Sequence, residues 1–395
     1  MKTKKSKILA LVISIVLFGL IISGCYGPGA GCTGPGARGW SGFSGDNKTI
    51  YVGTMAGEVL GLNPSARANG LSFPSDGEWE YVIKMPSSGG SMCGPLLACG
   101  PGSTPVGVTI YGTPVVSGDL VYLGTYNGKV YALNSVTGAL RWIYPREGNE
   151  TIGAIVGDLV LYDDTIYLGS SNGKVYALDA DTGDHKWEFL TGDRIWTSPA
   201  ISDGVVYVSS YDRKLYFVSS KDGSELQPPL ELPAVMCSPP VVSGDSIYFG
   251  TFDRNLYSVN KNDASIRWKF EGGNWFWATP LVEDRAIYAG CLDGKIYAID
   301  VDTGRQLWQF DADKAIVSDP VIVGEMVAAV SESGSMYLLK KSTGGQEKII
   351  SIGYDVMAPL YVVGNIVYVH GRDDYVYGVD IDSGQIAWKF KKASK

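Results

Sequence analysis

The stretch DGKIYAIDVDTGRQLW, residues 293–308, decides how this chain is read. Nearly the same text occurs as NGKVYALDADTGDHKW at 172–187 and as NGKVYALNSVTGALRW at 127–142. A catalytic site needs one copy of its chemistry. A repeat architecture needs its structural staple many times, so the recurrence points to repeats before it points to an active site.

Each copy contains the same physical parts. Alternating apolar residues predict short strands. Asn172-Gly173 and Asp293-Gly294 predict tight turns with φ > 0. Within the copy ending at Trp308, Ala298 leaves room for a neighbouring ring, and Asp300 and Thr303 can bond turn amides. Gly304 supplies the left-handed turn residue, and Trp308 is placed to fill the gap between units. The corresponding tryptophans are Trp142, Trp187, Trp268 and Trp388. The repeats at 221–227 and 342–348 lose the tryptophan, so weaker seams are expected there.

An aromatic before each turn sets the period. It stands at Tyr51, Tyr122, Tyr167, Tyr207, Tyr248, Tyr288 and Tyr368, with Ala328 in its place once. The spacings are 71, 45, 40, 41, 40, 40 and 40, which makes eight units. Four short strands per unit at this rhythm predict an all-β fold: an eight-bladed β-propeller of four-stranded antiparallel blades. No helical periodicity is read after the N-terminal segment.

The N-terminus reads as an address. MKTKKSK is basic, an apolar run follows, and ISGC ends at Cys25. The run is short for a membrane-spanning helix. It resembles a bacterial lipobox, which implies cleavage before Cys25 and lipid on its thiol. The expected organisation is a lipoprotein signal peptide at 1–24, a Gly/Pro-rich linker at 25–39 and one propeller domain at 40–395. Loss of residues 1–24 removes four lysines and no acid, taking the net charge from −8 to −12. So acidic a body excludes nucleic acid as the expected partner, since phosphate binding rests on Lys and Arg. Beyond Cys25, Cys93 and Cys99 could close a loop by a disulfide in an oxidising compartment. Cys237 and Cys291 sit in strand-like text and read as buried fillers.

The A-x-D-x-x-T-G-x-x-x-W pattern, carried over about residues 40–390, resembles the tryptophan-docking motif of the PQQ-type β-propeller family. The motif is specific for the repeat and not for the quinone. Within that family, eight blades on a lipobox-bearing chain are most similar to the BamB-type outer-membrane assembly lipoproteins. That resemblance implies a non-enzymatic scaffold with an envelope protein partner and a membrane contact through the lipid on Cys25. The implied address is extracytoplasmic: the outer membrane where the host has one, otherwise the outer face of the cytoplasmic membrane. No particular partner-binding residue carries over.

Chemistry-bearing constellations are sparse. The D-x-D-x-G turns lack a distal bidentate Glu at EF-hand spacing, so they read as turn caps without metal. The two histidines, His185 and His370, lie on different blades. A PQQ-dependent dehydrogenase is the distant alternative. The resemblance implies an adjacent Cys-Cys pair for such an enzyme, and none occurs, so no cofactor is expected. Alternating strands place the fourth-to-first and second-to-third connections on one face. Candidate recognition residues there are Arg194, Trp196, Met236, Trp275, Trp277 and Asp355, joined by Tyr126, Tyr211, Phe252 and Arg372. They form either a polar-rimmed aromatic surface or the filling of the propeller's centre. A small-molecule or glycan ligand at this mouth is the alternative to a protein partner. The excess residues around 82–110 are expected to border the same mouth.

Overall fold

The computed structural model describes residues 40–54, 56–83, 108–146 and 150–392. Cys25, Cys32, Cys93, Cys99 and most of the 82–110 excess therefore lie outside the described residues. Within them, thirty-two strands form eight separate four-stranded antiparallel sheets. Every sheet is made of four consecutive strands. Blade 1 runs from Phe43–Gly45 to Trp79–Val82, and blade 2 from Val115–Ser117 to Leu140–Tyr144. Blades 3 to 7 begin at Val160, Ala200, Val241, Leu281 and Val321, and blade 8 runs from Tyr361–Val363 to Gln385–Phe390. The eight predicted units are thus eight blades.

Burial follows position in the blade. The third strand Lys295–Asp300 is buried along its middle on both faces, because each blade is covered by a neighbour on either side. A short unbroken apolar run is the sequence signature of such a strand. The fourth strand Gln306–Asp311 buries Trp308 but exposes residues on either side of it, as expected at the rim. The cores lie between blades. One joins Leu120, Tyr122 and Ala132 of blade 2 to Ile166, Leu168 and Leu178 of blade 3. Another joins Phe43 and Val52 of blade 1 to Tyr368 and Trp388 of blade 8 and so closes the ring.

The repeated motif is a device between blades. Trp308 of blade 6 donates its indole N–H to Lys341 O of blade 7 at 2.8 Å, and its ring lies on Gly344. A Cβ at Gly344 would come within 2.5 Å of that ring, and φ is +70° there, so only glycine fits. Trp79, Trp142, Trp187 and Trp268 repeat the bond to a carbonyl of the next blade at 2.8–3.0 Å. Asp300 accepts from the amides of Asp302 and Thr303 and from the Thr303 hydroxyl, as its place in the motif predicts.

The two blades without tryptophan fill the seam by other contacts. In blade 4, Gln227 stands at the tryptophan position, and the strand residue facing it is Phe217 instead of the usual Ala, Gly or Ser. Phe217 packs on Tyr207 with centroids 5.6 Å apart, replacing the tyrosine–tryptophan pair of blades such as blade 3. The next blade's turn then carries Ala264 at φ +57°, since no tryptophan presses on it. In blade 7, Leu338 faces Lys348, whose ammonium donates to Ile381 O at 2.9 Å in the next blade. The ring is gone in both seams; the filled volume remains in both, and in blade 7 the carbonyl bond does too.

A short helix, Pro64–Ala68, departs from the all-strand expectation. It occupies part of the excess before Trp79. Asn63 caps it by accepting from the Ser65 and Ala66 amides, and Pro64 stands in its first turn. Asn-Pro is a legible helix start.

Candidate functional site

The predicted shared face is formed by a bond that recurs around the ring. The amide of a second-to-third turn donates to the connection that precedes its own blade. Tyr211 donates to Arg194 O at 3.0 Å, Leu292 to Trp275 O at 2.9 Å and Arg372 to Asp355 O at 2.8 Å. Phe252 and Tyr126 do the same to Val235 and Thr109, each at 3.0 Å. Seven of the ten predicted residues take part in these bonds, and Trp196, Met236 and Trp277 lie on the same connections.

They are not one cluster. Arg194 is exposed, and its guanidinium lies 4.4 Å from the Trp196 ring centre and 4.6 Å from that of Tyr211. Trp196 and Tyr211 meet edge to face at 5.0 Å. A second group joins Phe252 to Trp275 at 4.7 Å and to Trp277 at 6.4 Å. Asp355 and Arg372 stand apart from both on blade 8. Met236 is a correction to the recognition surface: it is 1% exposed, held by a bridge to Thr251, and belongs to the core between blades 4 and 5.

Two further rings complete the mouth. Trp40 and Tyr111 meet at 4.7 Å, and Tyr111 meets Tyr126 at 5.5 Å. Strand register shows why they belong. Trp40, Tyr111, Trp196 and Trp277 each stand four residues before the innermost-strand residue that pairs with the landmark Tyr, with Val156, Cys237, Val317 and Met357 at that place in the other blades. Counting back two residues from each Thr-Pro or Ser-Pro would have found Tyr111.

These rings enclose a cavity of about 60 Å³, lined by Trp40, Tyr126, Trp196, Tyr211, Met236 and Trp277 among others. That is room for about two water molecules. At this mouth Arg194 is exposed, and Trp196 and Tyr211 are half-buried. Burial pushes the Tyr211 hydroxyl up to about 12, so it stays a neutral hydrogen-bonding group. Burial also raises the Cys237 thiol, which is no nucleophile.

One layer deeper, two residues on in each blade, the ring carries charge twice. Asp158 of blade 3 accepts from the Thr113 amide at 2.7 Å. Asp319 of blade 7, on the opposite side of the ring, accepts from the Thr279 amide at 2.7 Å. Burial raises both carboxyls, and Asp319, pushed up to about 7, also feels the charge of Asp158. Among the described residues no group of three or more His, Cys, Asp and Glu side chains is placed to hold a metal ion.

The profile of the family described as outer membrane protein assembly factor BamB matches residues 149–226, 230–347 and 292–395, more than half of the chain. The chain belongs to this family. Solved structures give the same fold. BamB from Moraxella catarrhalis aligns with TM-score 0.65 at 18% identity, over 89% of this chain and 95% of that one. The computationally designed Ika8 protein aligns with TM-score 0.69 at 14% identity, over 87% and 96%. At these identities the likeness speaks for the BamB-type propeller fold and for no particular residue. No curated protein matches the sequence. Among the described residues, no helix is long and apolar enough to cross a membrane.

Proposed function

We propose that this chain is a non-enzymatic, lipid-anchored scaffold outside the cytoplasm, which binds an envelope protein partner through the mouth built on Arg194, Trp196 and Tyr211. The observation that carries the reading is the exposed guanidinium held over two aromatic rings on the loop face. Arginine and large aromatics in a partly desolvated cluster are the residue types that dominate protein interfaces. The cavity beneath is shallow and opens onto a broad surface, which favours a protein over a small molecule. Membership of an outer membrane assembly family makes envelope assembly the setting. Cys25 supplies the anchor.

Two measurements test it. The lipid-bearing chain, cross-linked in intact cells of its host and purified in detergent, is expected to bring down a defined envelope protein. Arg194→Glu reverses the charge and removes the cation–π contacts, so capture is expected to fall about tenfold. Capture that stays unchanged in Arg194→Glu and in Trp196→Ala would overturn the mouth as the binding surface. Separately, Cys25→Ser is expected to leave an uncleaved precursor without lipid, since serine lacks the acceptor thiol. Unchanged mass and detergent partitioning would refute the anchor.

A further inference from the structure

A second concave site lies away from the mouth, along the outer seam between blades 2 and 3. The repeat departs from its rule there: the interval from Tyr122 to Tyr167 is 45 residues where 40 is usual. The cleft measures about 520 Å³. Its floor is a triangle of rings, with Tyr144, Tyr176 and His185 centroids 6.2–6.3 Å apart in every pair. Tyr144 and His185 lie within 12° of parallel. At the strand position of Tyr144, blades 3, 5, 6 and 8 carry phenylalanine: Phe189, Phe270, Phe310 and Phe390. Blade 2 thus presents a hydroxyl-bearing ring there, as blade 1 does with Tyr81, where those four present an apolar one. The rim is polar and exposed. Arg146 is paired to Asp184 at 2.7 Å and donates to Thr182 O. Glu188 is held by Lys174 and stands 3.7 Å from His185.

We infer that this seam cleft is a carbohydrate-binding site, taking a short oligosaccharide with one sugar ring over Tyr144 and His185 and its hydroxyls on Glu188, Asp184 and Arg146. A pyranose presents a face of C–H bonds that packs on an aromatic ring, and adjacent hydroxyls that span the two oxygens of a carboxylate or two N–H groups of a guanidinium. Few apolar surfaces with a small number of oriented polar groups are the usual make-up of a small-ligand site. The volume suits two or three sugar units. The site is independent of the mouth, so this inference does not rest on the scaffold reading.

Saturation-transfer NMR on the detergent-solubilised full chain, with chitotriose, cellotriose and maltotriose as probes, tests it. Transfer to the ring protons of at least one trimer is expected. Affinity should fall about tenfold in Tyr144→Ala, stay within about threefold in Tyr144→Phe, and weaken in Glu188→Gln. Glu188 is exposed, so its variant keeps the test valid should Tyr144→Ala disturb the seam. No transfer to any trimer overturns the inference. So does binding that all three variants leave unchanged, or a trimer signal displaced by choline, which would mark a cation site over the same rings.

Discussion

Replacing Arg67 with alanine is expected to lower folding stability by about 3–5 kcal/mol and to open the ring at one seam. Arg67 sits on the short helix of blade 1 and is buried with Glu78, to which its guanidinium donates at 2.7 Å. Glu78 also accepts from the Ser75 amide and hydroxyl and from the Asn63 amide. Removing the cation leaves that carboxylate buried without its counter-charge, which costs far more than losing a surface pair. Arg67 also lies 4.8 Å from the Phe390 ring centre, and Phe73 meets Phe390 at 5.2 Å. Phe390 ends the last strand of blade 8, so the same substitution loosens the contact that joins the two ends of the ring.

That seam has no strand exchange to lock it, since blades 1 and 8 are each made of consecutive strands. It also lacks the usual Thr-Gly turn under the preceding tryptophan. Beside the shared apolar core, its polar ties are local: Tyr361 to Gly45 O, His370 to Ser41 O, and Lys392 to Glu58 and Glu80. Hydrogen exchange in the strand Gln385–Phe390 is expected to quicken in Arg67→Ala before the other blades respond. Adding Glu78→Gln should restore part of the loss, because the unpaired charge goes with it. A melting temperature within one degree of the parent, with unchanged exchange in that strand, would refute the clamp.

The blade count, the strand order and the inter-blade tryptophans were legible because each rests on a local signal that repeats. Fixed spacing, turn glycines and ring positions need no knowledge of distant contacts. The compensation in blades 4 and 7 was not legible. It lies in Phe217 and Leu338, a strand away from the missing tryptophan, and only the register pairs them. The mouth was read in part. Arg194, Trp196 and Tyr211 were found from the alternation of strands. Trp40 was missed because Ser41-Gly42 follows it with no Thr-Pro or Ser-Pro landmark, Tyr111 because the count back from Thr113-Pro114 was not applied, and Met236 was misplaced because burial at a loop end depends on the neighbouring blade. The seam cleft had one sequence signal, the five extra residues after Tyr122, which alone names no chemistry.

Asp319→Asn is expected to stabilise the protein above neutral pH, and the sign follows from where the proton sits. Burial at the channel pushes this carboxyl from the usual 3.8 up to about 7, with Asp158 across the ring adding to the effect. Between those values the folded protein holds a proton that the unfolded chain has released. Stability contributed by this group therefore falls as pH rises from about 4 to about 7, and the full penalty persists above that. The gap of about three pH units sets a ceiling of about 4 kcal/mol. Water in the channel and relaxation reduce this, and about 1–3 kcal/mol is expected in the measurement. Asparagine keeps an oxygen to accept from the Thr279 amide, so the hydrogen bond that positions the side chain survives. Parent and variant should melt together near pH 4 and diverge by pH 8, with the variant higher. Asp158→Asn should act in the same direction, and the double variant should gain less than the two single gains combined, because each removes the same repulsion. Melting curves that stay parallel from pH 4 to pH 8 would show that Asp319 is ionised in the fold at low pH and that the two carboxylates do not meet across the channel.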